Sequence, residues 1–240
     1  MTRADIFLVE HGYYESRARA QAAIKAGLVK VDGKRITKPS EKLIDGASID
    51  AKAEHPWVSR GGLKLVHGLK EFGVSPEGKI CLDVGASTGG FTQVLISHGA
   101  RQVYAVDVGQ GQLHEKLRGI PEIISMERTD ARSLKASHFS AAPQLIVCDA
   151  SFISAMKVLE HPLQLAASSA QLITLVKPQF EVGKANIGRG GIVRSESLTR
   201  QALSDVSAWI TSQGWDVIST CTSPIKGGSG NTEYLLYAAK

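Results

Sequence analysis

Short apolar runs alternate with amphipathic stretches through the last two thirds of the chain. The runs are four or five residues long and predict buried strands at 80–84, 103–106, 123–126, 145–148 and 172–176. The stretches around them predict helices at 91–98, 113–117, 155–168 and 197–213. This alternation is typical of a mostly parallel sheet with helices on both faces, an α/β fold. Two last strands, 216–220 and 234–238, are separated only by a loop, so we expect them to pair as an antiparallel hairpin.

The first fifty residues follow a different pattern, with two short helices and a hairpin. The first helix is predicted at 4–11, and the second lies within 16–27, where Ser16 occupies the N-cap position. Polar residues recur every four positions in the second helix beside an apolar stripe, so one edge packs and the other stays polar. Asp32-Gly33 then predicts a tight turn between two short strands.

A segment with proline and paired glycines separates these two patterns. Pro56 ends any preceding strand, and Gly61-Gly62 allows tight backbone geometry. We therefore expect an N-terminal domain at 1–52, a linker at 53–62 and a larger domain at 63–240.

Composition and charge narrow the class of protein. The chain has 240 residues, of which 43% are hydrophobic and 21% charged, which suits packed globular domains. No run approaches the roughly 18 apolar residues of a membrane-spanning helix, and the start of the chain does not have the pattern of a secretory signal. We therefore expect a cytoplasmic protein with no membrane partner. The three cysteines lie far apart in apolar contexts, which favours reduced thiols over disulfides or a metal site.

The basic charge is concentrated near the start of the chain. The net charge is +5, and residues 1–60 carry eleven Lys+Arg against eight Asp+Glu. A local excess of cations in a small module is consistent with phosphate contact. A second basic segment, 183–191, has four glycines and no periodicity. It predicts either a mobile loop whose Lys184 and Arg189 clamp RNA or a plain flexible connection.

A glycine-rich loop follows the first strand of the larger domain. Glycines at the carboxyl end of a strand let the backbone approach a ligand, and the next helix offers free N–H donors. The spacing is G-x-x-x-G-G, which differs from the G-x-G-x-x-G of dinucleotide-binding folds. The candidate cofactor-binding residues in this loop are Gly85, Ala86, Ser87, Gly89, Gly90 and Phe91.

Acidic residues follow the next three strands of the predicted sheet. Asp107 ends the second strand, where a carboxylate can accept two ribose hydroxyls of either NAD or S-adenosylmethionine. Asp130 follows the third strand and could meet an adenine amino group or cap a helix, and Asp149 follows the fourth. Since the carboxyl ends of parallel strands share one edge, we expect all three acids at one cofactor crevice.

A second set of charged residues suggests catalysis. Lys177 directly follows an apolar strand and precedes a proline, so it is held at the sheet edge where ligands bind. With Asp149 it forms the core of a K-D-K-E set that also includes Lys64, before the first strand, and Glu233, at the start of the last.

The string RAQAAIKAGLVKVDGK, with its order of elements, resembles the S4 RNA-binding domain over residues 2–51. In that family the second helix and the hairpin present basic residues to structured RNA. Any one such cation could be an ordinary solvated charge, but as a set they favour RNA contact. The resemblance and the linker together imply RNA contact by Arg3, Arg17, Arg19, Lys25, Lys30, Lys34 and Arg60.

After that domain, six sequence motifs resemble those of the TlyA family. Proteins of this family are named hemolysins but act as ribosomal RNA 2′-O-ribose methyltransferases. The motifs are SRGGLKL, LDVGASTGGFT, DVGQGQL, CDASFIS, LVKPQFEVGK and GNTEYLLY. The catalytic half is similar to FtsJ-type RNA methyltransferases, whose K-D-K-E tetrad falls on the four residues named above. The resemblance implies a Rossmann-like S-adenosylmethionine-dependent methyltransferase fold with a small N-terminal α+β S4-like domain.

The resemblance also implies S-adenosylmethionine as cofactor, no metal, and ribosomal RNA or a ribosomal subunit as partner. The linker departs from the family at His55-Pro56-Trp57-Val58, where some relatives begin with a basic residue. Short N-termini in the family are associated with large-subunit RNA alone, so the expected target is a cytidine of 23S rRNA.

The functional hypothesis is methylation of a ribose 2′-hydroxyl. Lys177 would accept the hydroxyl proton, or would orient the hydroxyl and stabilise the developing alkoxide, and the sequence leaves both roles open. A non-catalytic RNA-binding or assembly factor is the alternative, disfavoured because all four tetrad residues are present. The chain has no apolar span, which disfavours a membrane-active hemolysin. It also lacks the glycine spacing of dinucleotide-binding folds, which disfavours an NAD-dependent enzyme.

Overall fold

Two separate units form along the chain, Met1–Pro56 and Trp57–Lys240. The structure is a computed structural model that describes residues 1–52 and 55–240. Ala53 and Glu54, the first two residues of the predicted linker, lie outside the described residues.

The N-terminal unit packs two helices against short antiparallel strands. Its elements are β1 (Thr2–Arg3), α1 (Ala4–Glu10), α2 (Arg17–Lys25), β2 (Val29–Val31), β3 (Lys34–Arg35), β4 (Lys42–Leu43) and β5 (Ile49–Ala51). The strands form a three-stranded sheet in the order β3-β2-β5 and a separate β1–β4 pair. Ser16 caps α2 by accepting a hydrogen bond from the Arg19 N–H at 3.3 Å.

The apolar stripe of α2 builds the core of this unit. Ala20 and Ile24 are fully buried, and they join Phe7 and Leu8 of α1 in one hydrophobic cluster. The two helices and the β2–β3 hairpin are therefore as predicted. The strands β1, β4 and β5 are only two or three residues long, too short for an alternating pattern to predict them.

The C-terminal unit is a seven-stranded sheet with helices on both faces. Its elements are α3 (Gly61–Phe72), β6 (Ile80–Val84), α4 (Gly90–Ser97), β7 (Gln102–Val106), β8 (Ile123–Met126), β9 (Leu145–Cys148), α5 (Ala155–Gln164), β10 (Gln171–Val176), α6 (Pro178–Glu181), α7 (Glu196–Ser212), β11 (Asp216–Thr222) and β12 (Tyr234–Ala239). The strand order is β11-β12-β10-β9-β6-β7-β8.

The last strand decides the geometry of one sheet edge. The strands from β8 to β10 are parallel, whereas β12 runs antiparallel to both β10 and β11. The predicted antiparallel pairing is confirmed, and β12 also inserts between its partner and the rest of the sheet. Tyr234 lies opposite Val176, so β12 begins at the edge where the parallel strands end.

Side chains of alternate residues in the central strands pack into two hydrophobic layers, one on each face of the sheet. Leu82 and Ile146 face the layer that contains α5 and α7, while Val147 and Ile173 face the layer that contains α3 and α4. Cys81 and Cys148 are buried, Cys221 is half-buried, and all three are free thiols. No helix in the described part of the chain is long and apolar enough to cross a bilayer.

Helix α3 was not predicted, because its glycines lower the intrinsic helix propensity of the segment. Packing overrides that preference: Leu65 and Leu69 are buried, and the space beside Gly68 is filled by Ile173 and Leu235. This helix begins inside the predicted linker.

The predicted helix at 113–117 is only a 3₁₀ turn, Glu115–Leu117. The Glu127 carboxylate accepts hydrogen bonds from the N–H groups of Gly111, Gln112 and Leu113 at 2.7 to 3.0 Å. These N–H groups donate to a side chain rather than to helical carbonyl oxygens, so the segment that contains them is a loop. The predicted helix at 155–168 ends earlier, at Gln164.

Candidate active site

Four elements bring the predicted tetrad, Lys64, Asp149, Lys177 and Glu233, to one edge of the sheet. Asp149 and Lys177 follow the parallel strands β9 and β10. Glu233 directly precedes β12, which starts at the same edge because it runs in the opposite direction. Lys64 reaches the group from the first turn of α3.

The four charged groups form a connected cluster. Lys64 Nζ lies 2.8 Å from Glu233 Oε2 and 3.3 Å from Asp149 Oδ2. Lys177 Nζ lies 2.7 Å from Asp149 Oδ1, so Asp149 bridges the two lysines. Lys177 also donates to the Asp149 carbonyl oxygen at 3.1 Å and to Ser151 Oγ at 2.8 Å.

Burial sets the electrostatic character of this cluster. Lys64, Lys177 and Glu233 are buried, and each charge has an opposite partner, as buried ionic groups require. Two ammonium groups face two carboxylates, so the formal charges of the cluster sum to zero. Outside residues 53 and 54, no group of three or more His, Cys, Asp or Glu side chains is placed to hold a metal ion.

The tetrad opens into a cleft of about 500 Å³, which we call the catalytic cleft. All four tetrad residues line it, together with Gly85, Ala86, Ser87, Gly90 and Phe91 of the glycine-rich loop. Gly85 has a φ of +81°, and a Cβ there would lie 2.9 Å from the Ala150 Cα. Glycine thus lets the loop pass directly over the strand-end segment that carries Asp149. Gly89 instead faces Leu113 and Leu117, beneath the loop.

A second cleft of about 460 Å³ continues from the first along the strand ends. It shares Gly85, Ser87 and Asp149 with the catalytic cleft. Its apolar walls include Val108, Ala131 and Ile153, which suit a planar aromatic ring. Two connected clefts of this size can hold an elongated ligand with a ring at one end.

Asp107 lines the second cleft at the end of β7. Its carboxylate accepts hydrogen bonds from the Ser87 N–H at 2.8 Å and the Gly109 N–H at 2.7 Å. Because a carboxylate has about four lone-pair positions, the oxygens can still accept two ligand hydroxyls. This carboxylate also ties the glycine-rich loop to the loop after β7.

Asp130 lines the same cleft, and its side chain is engaged locally. It accepts hydrogen bonds from the Arg132 backbone N–H and guanidinium at 2.6 to 3.1 Å. The hydrogen bonds from Arg132 lower the pKa of Asp130. Asp130 therefore caps a short 3₁₀ turn, which was one of the two roles predicted from the sequence. It also lines the second cleft, so the edge of a bound ring could still reach its carboxylate.

Asp83, one residue before the end of β6, is not among the residues predicted from the sequence. Its side chain is fully buried, and one oxygen accepts a hydrogen bond from Thr92 Oγ1 at 2.6 Å, while the other has no partner. Burial raises the pKa of Asp83 to about 7. An acid inside an otherwise apolar strand, ICLDV, was the available signal.

Phe152 was also missed, although it lines both clefts. Its side chain is 93% exposed and its φ is +66°, a region that bulky residues rarely adopt. Its ring lies 5.5 Å from the ring of Phe180. An exposed aromatic ring on a strained backbone at the mouth of a cleft is suited to stacking on a ligand base.

Three of the predicted RNA contacts in the N-terminal unit form ion pairs with acidic side chains. Arg3 and Arg17 both contact the buried Asp5 carboxylate, at 2.9 and 3.0 Å, and Gln21 donates to the same carboxylate. The hydrogen bond from Arg3 is the main reason why the pKa of Asp5 lies below its ordinary value. Arg19 pairs with Glu15 at 3.0 Å.

The other predicted RNA contacts are exposed. Lys25 lies at the end of α2, Lys30 and Lys34 lie on β2 and β3, and all three are exposed. In the C-terminal unit, Lys184 and Arg189 are exposed on two short 3₁₀ turns. Arg60 donates to the Lys226 carbonyl oxygen at 2.6 Å and so contacts the loop before Glu233.

Comparisons with known families match both units. The model of the FtsJ-like methyltransferase family matches residues 57–240, and the S4 domain model matches residues 2–49. The chain is 42% identical over 237 residues to the 16S/23S rRNA (cytidine-2′-O)-methyltransferase TlyA of Mycobacterium tuberculosis, covering 98% of this chain and 88% of that protein. It is 41% identical over 236 residues to Hemolysin A of Brachyspira hyodysenteriae, covering 98% of each.

Solved structures agree with the sequence matches. A protein from Streptococcus thermophilus, described as a hemolysin, superposes with a TM-score of 0.79 at 41% identity, covering 99% of this chain and 88% of that one. Fibrillarin of Aeropyrum pernix with bound S-adenosyl-L-methionine matches with a TM-score of 0.54 at 15% identity, covering 81% and 80%. That likeness shows the fold alone, and it confirms the predicted Rossmann-like methyltransferase fold.

Proposed function

The chain belongs to the TlyA family of FtsJ-like methyltransferases with an N-terminal S4 domain, and from that premise we propose that it methylates a ribose 2′-oxygen of ribosomal RNA with S-adenosylmethionine. We propose a cytidine of 23S rRNA as the target. The Mycobacterium tuberculosis relative is named for both 16S and 23S RNA, so the experiment includes both RNAs.

One observation carries the proposal: two lysines and two carboxylates meet in one buried cluster that opens into a cleft. A cluster that served only stability would have no need of an adjoining cleft. Lysine is also among the side chains that serve as general bases or stabilise a developing oxyanion.

The two clefts fit the proposed cofactor. The apolar walls of the second cleft suit an adenine ring, Asp107 can accept the two hydroxyls of its ribose, and Gly85 leaves room for close backbone approach. The carboxylate of Asp149 lies where the two clefts join and offers negative charge to a sulfonium centre. When bound, the cofactor supplies an electrophilic methyl group.

The tetrad holds the nucleophile in this proposal. Lys177 is the group we place against the ribose 2′-oxygen. As an ammonium it orients the hydroxyl and stabilises the developing alkoxide; only after giving its own proton to solvent would the neutral amine accept the hydroxyl proton while the oxygen bonds to the methyl carbon. Asp149 fixes the Lys177 ammonium nitrogen at 2.7 Å, and Lys64 links Asp149 to Glu233. This network restricts the lysine side chain to one position, which favours in-line geometry. Phe152 stands at the cleft mouth as a stacking surface for the target base.

The two units divide the work in this proposal. Residues 1–52 read structured RNA through exposed cations such as Lys30 and Lys34, and residues 63–240 carry the chemistry. Lys184 and Arg189 add positive charge on a loop beside the catalytic cleft. Phosphate contacts of this kind supply affinity that falls with increasing salt.

The test is methyl transfer from labelled S-adenosylmethionine to separated ribosomal subunits and to naked 23S and 16S RNA. We expect label in large-subunit RNA, at one cytidine ribose by nuclease mapping, and in no base. Binding of RNA without any incorporated label would instead support a non-catalytic assembly factor. Label in 16S RNA as well would correct the choice of target while leaving the reaction in place.

A further inference from the structure

Asn231 is a buried polar residue two positions before Glu233 that the tetrad does not use. Its side chain is 2% exposed. Its Oδ1 accepts a hydrogen bond from the Val193 N–H at 2.9 Å, and its Nδ2 donates to the Gly191 carbonyl oxygen at 2.8 Å. Both ends of the amide are therefore bonded to the backbone of one segment, residues 183–193, which we call the glycine-rich wall.

The glycine-rich wall forms one side of the catalytic cleft, where Ile187 and Gly191 line it. Most of the remaining residues of this segment are exposed, and its internal bonds are short-range turns and a bridge between Gly188 and Ile192. A segment with so little burial of its own depends on a few anchors for its position.

Asn231 also belongs to the loop that packs on Glu233. The Asn231 carbonyl oxygen accepts from the Gly227 N–H at 2.9 Å. A side chain at Gly227 would collide with Glu233 Oε1, so this backbone lies directly against the catalytic carboxylate. Gly228 and Ser229 of the same loop line the catalytic cleft. Asn231 thus joins the glycine-rich wall to the segment that holds Glu233.

We propose that Asn231 is a positioning residue that fixes the glycine-rich wall relative to Glu233. The inference rests on the proposed function, since the wall carries Lys184 and Arg189, two of the cations assigned to RNA. A wall that is already ordered reduces the entropy lost when RNA binds. Loss of the anchor then weakens RNA binding more than it slows the chemical step.

The experiment compares two variants with one control in the full-length chain. Asn231→Ala removes both hydrogen bonds, while Asn231→Asp keeps an acceptor for the Val193 N–H and loses the donor to Gly191. The control is Asn186→Ala, which lies on the same segment and loses one exposed bond, from Nδ2 to the Val182 carbonyl oxygen at 2.7 Å. The readouts are kcat and KM for ribosomal RNA, cofactor affinity, and the rate of tryptic cleavage after Lys184 and Arg189.

For Asn231→Ala we expect roughly 10-fold faster cleavage at these two sites and a roughly 10-fold higher KM for RNA, with kcat and cofactor affinity within about 2-fold. Asn231→Asp should fall between Asn231→Ala and the parent chain, and Asn186→Ala should match the parent.

Unchanged cleavage and KM in Asn231→Ala would overturn the proposal. So would faster cleavage throughout the chain together with a fall in kcat and cofactor affinity, because that pattern indicates a general loss of folding. If the parent chain transfers no methyl group, the proposed function fails, and the tryptic rates alone still support or overturn the anchoring role.

Discussion

Asp5 and Asp83 are carboxyl groups without solvent exposure, one in each unit, and their hydrogen-bond partners differ. Asp5 accepts hydrogen bonds from Arg3, Arg17 and Gln21, and its pKa lies below the ordinary value. Asp83 has a single neutral partner, Thr92, and burial raises its pKa to about 7. Hydrogen bonds from arginine outweigh desolvation at Asp5, whereas Asp83 is deeply buried and has no cation to offset the desolvation.

The tetrad lies between these two cases. Asp149 and Glu233 have cationic partners as Asp5 does, but the cations are buried lysines beside a cleft rather than arginines at a surface. Arginine beside Asp5 stays charged and can still offer donors to RNA. Lysine in the tetrad is the side chain that can exchange a proton with a substrate. In the proposed function, the same kind of ion pair therefore supports RNA binding in one unit and chemistry in the other.

Removing one cation from the tetrad gives the largest expected effect. Lys177→Ala leaves Asp149 without its 2.7 Å partner and the substrate hydroxyl without an orienting group. We expect methyl transfer to fall by about 10² to 10⁴-fold, with cofactor affinity retained. Transfer assays and cofactor titration measure the two quantities. Lys157→Ala, an exposed lysine of α5, is the control. Full transfer by Lys177→Ala would remove Lys177 from the catalytic group.

Asp83 is expected to make stability fall as pH rises. Its folded pKa of about 7 lies above the ordinary 3.8, so the cost of burying the charged form is absent below pH 4 and complete above pH 7. The upper bound of this cost is roughly 4 kcal/mol. Asp83→Asn should flatten the slope of unfolding free energy against pH in that window, as measured by urea unfolding. An identical slope in the variant would mean that Asp83 does not titrate there.

Asp5 is expected to act in the opposite direction. Its pKa is lowered in the folded state, so its stabilisation is complete at neutral pH and is lost as pH falls below the ordinary carboxyl range. Asp5→Asn should destabilise the N-terminal unit by about 2 kcal/mol at pH 7 and weaken RNA binding, because Arg3 and Arg17 lose their common anchor. Asp45→Asn, with a side chain 91% exposed, is the control. Equal stability of the two variants at pH 7 would contradict the assignment.

The smallest expected effect concerns Gly85 of the glycine-rich loop. Gly85→Ala and Gly78→Ala both place a side chain at a positive φ, +81° and +69°, at a cost of about 1 kcal/mol each. Only Gly85→Ala also brings a Cβ against Ala150, so only this variant should lose cofactor affinity, by about 10-fold. Calorimetric titration with S-adenosylmethionine distinguishes the two. Equal affinities would show that the Gly85 backbone is not close to the cofactor.

Much of the sheet could be predicted from local pattern. The bounds of β6, β8 and β9 agree with the predicted strands to the residue. For β6 and β9 the reason is that strands buried on both faces appear as continuous apolar segments. The candidate residues Asp107, Asp149 and Lys177 could be recognised because each directly follows such a run. Helix α3 could not be, since its glycines weaken the local signal and its stability comes from packing on β10 and β12.

Local sequence patterns were enough to predict the order and type of the main elements, the S4-like and methyltransferase motifs, and which charged residues lie at strand ends. Long-range contacts were needed to show that β12 inserts antiparallel beside β10, which brings Glu233 to the same edge as Lys177. The same holds for the burial of Asp83 without a cation, for the contacts of Arg3 and Arg17 with Asp5, and for the hydrogen bonds of Asn231 to the glycine-rich wall. Local patterns record burial and turns over a few residues, whereas these contacts join segments that meet only when the chain folds.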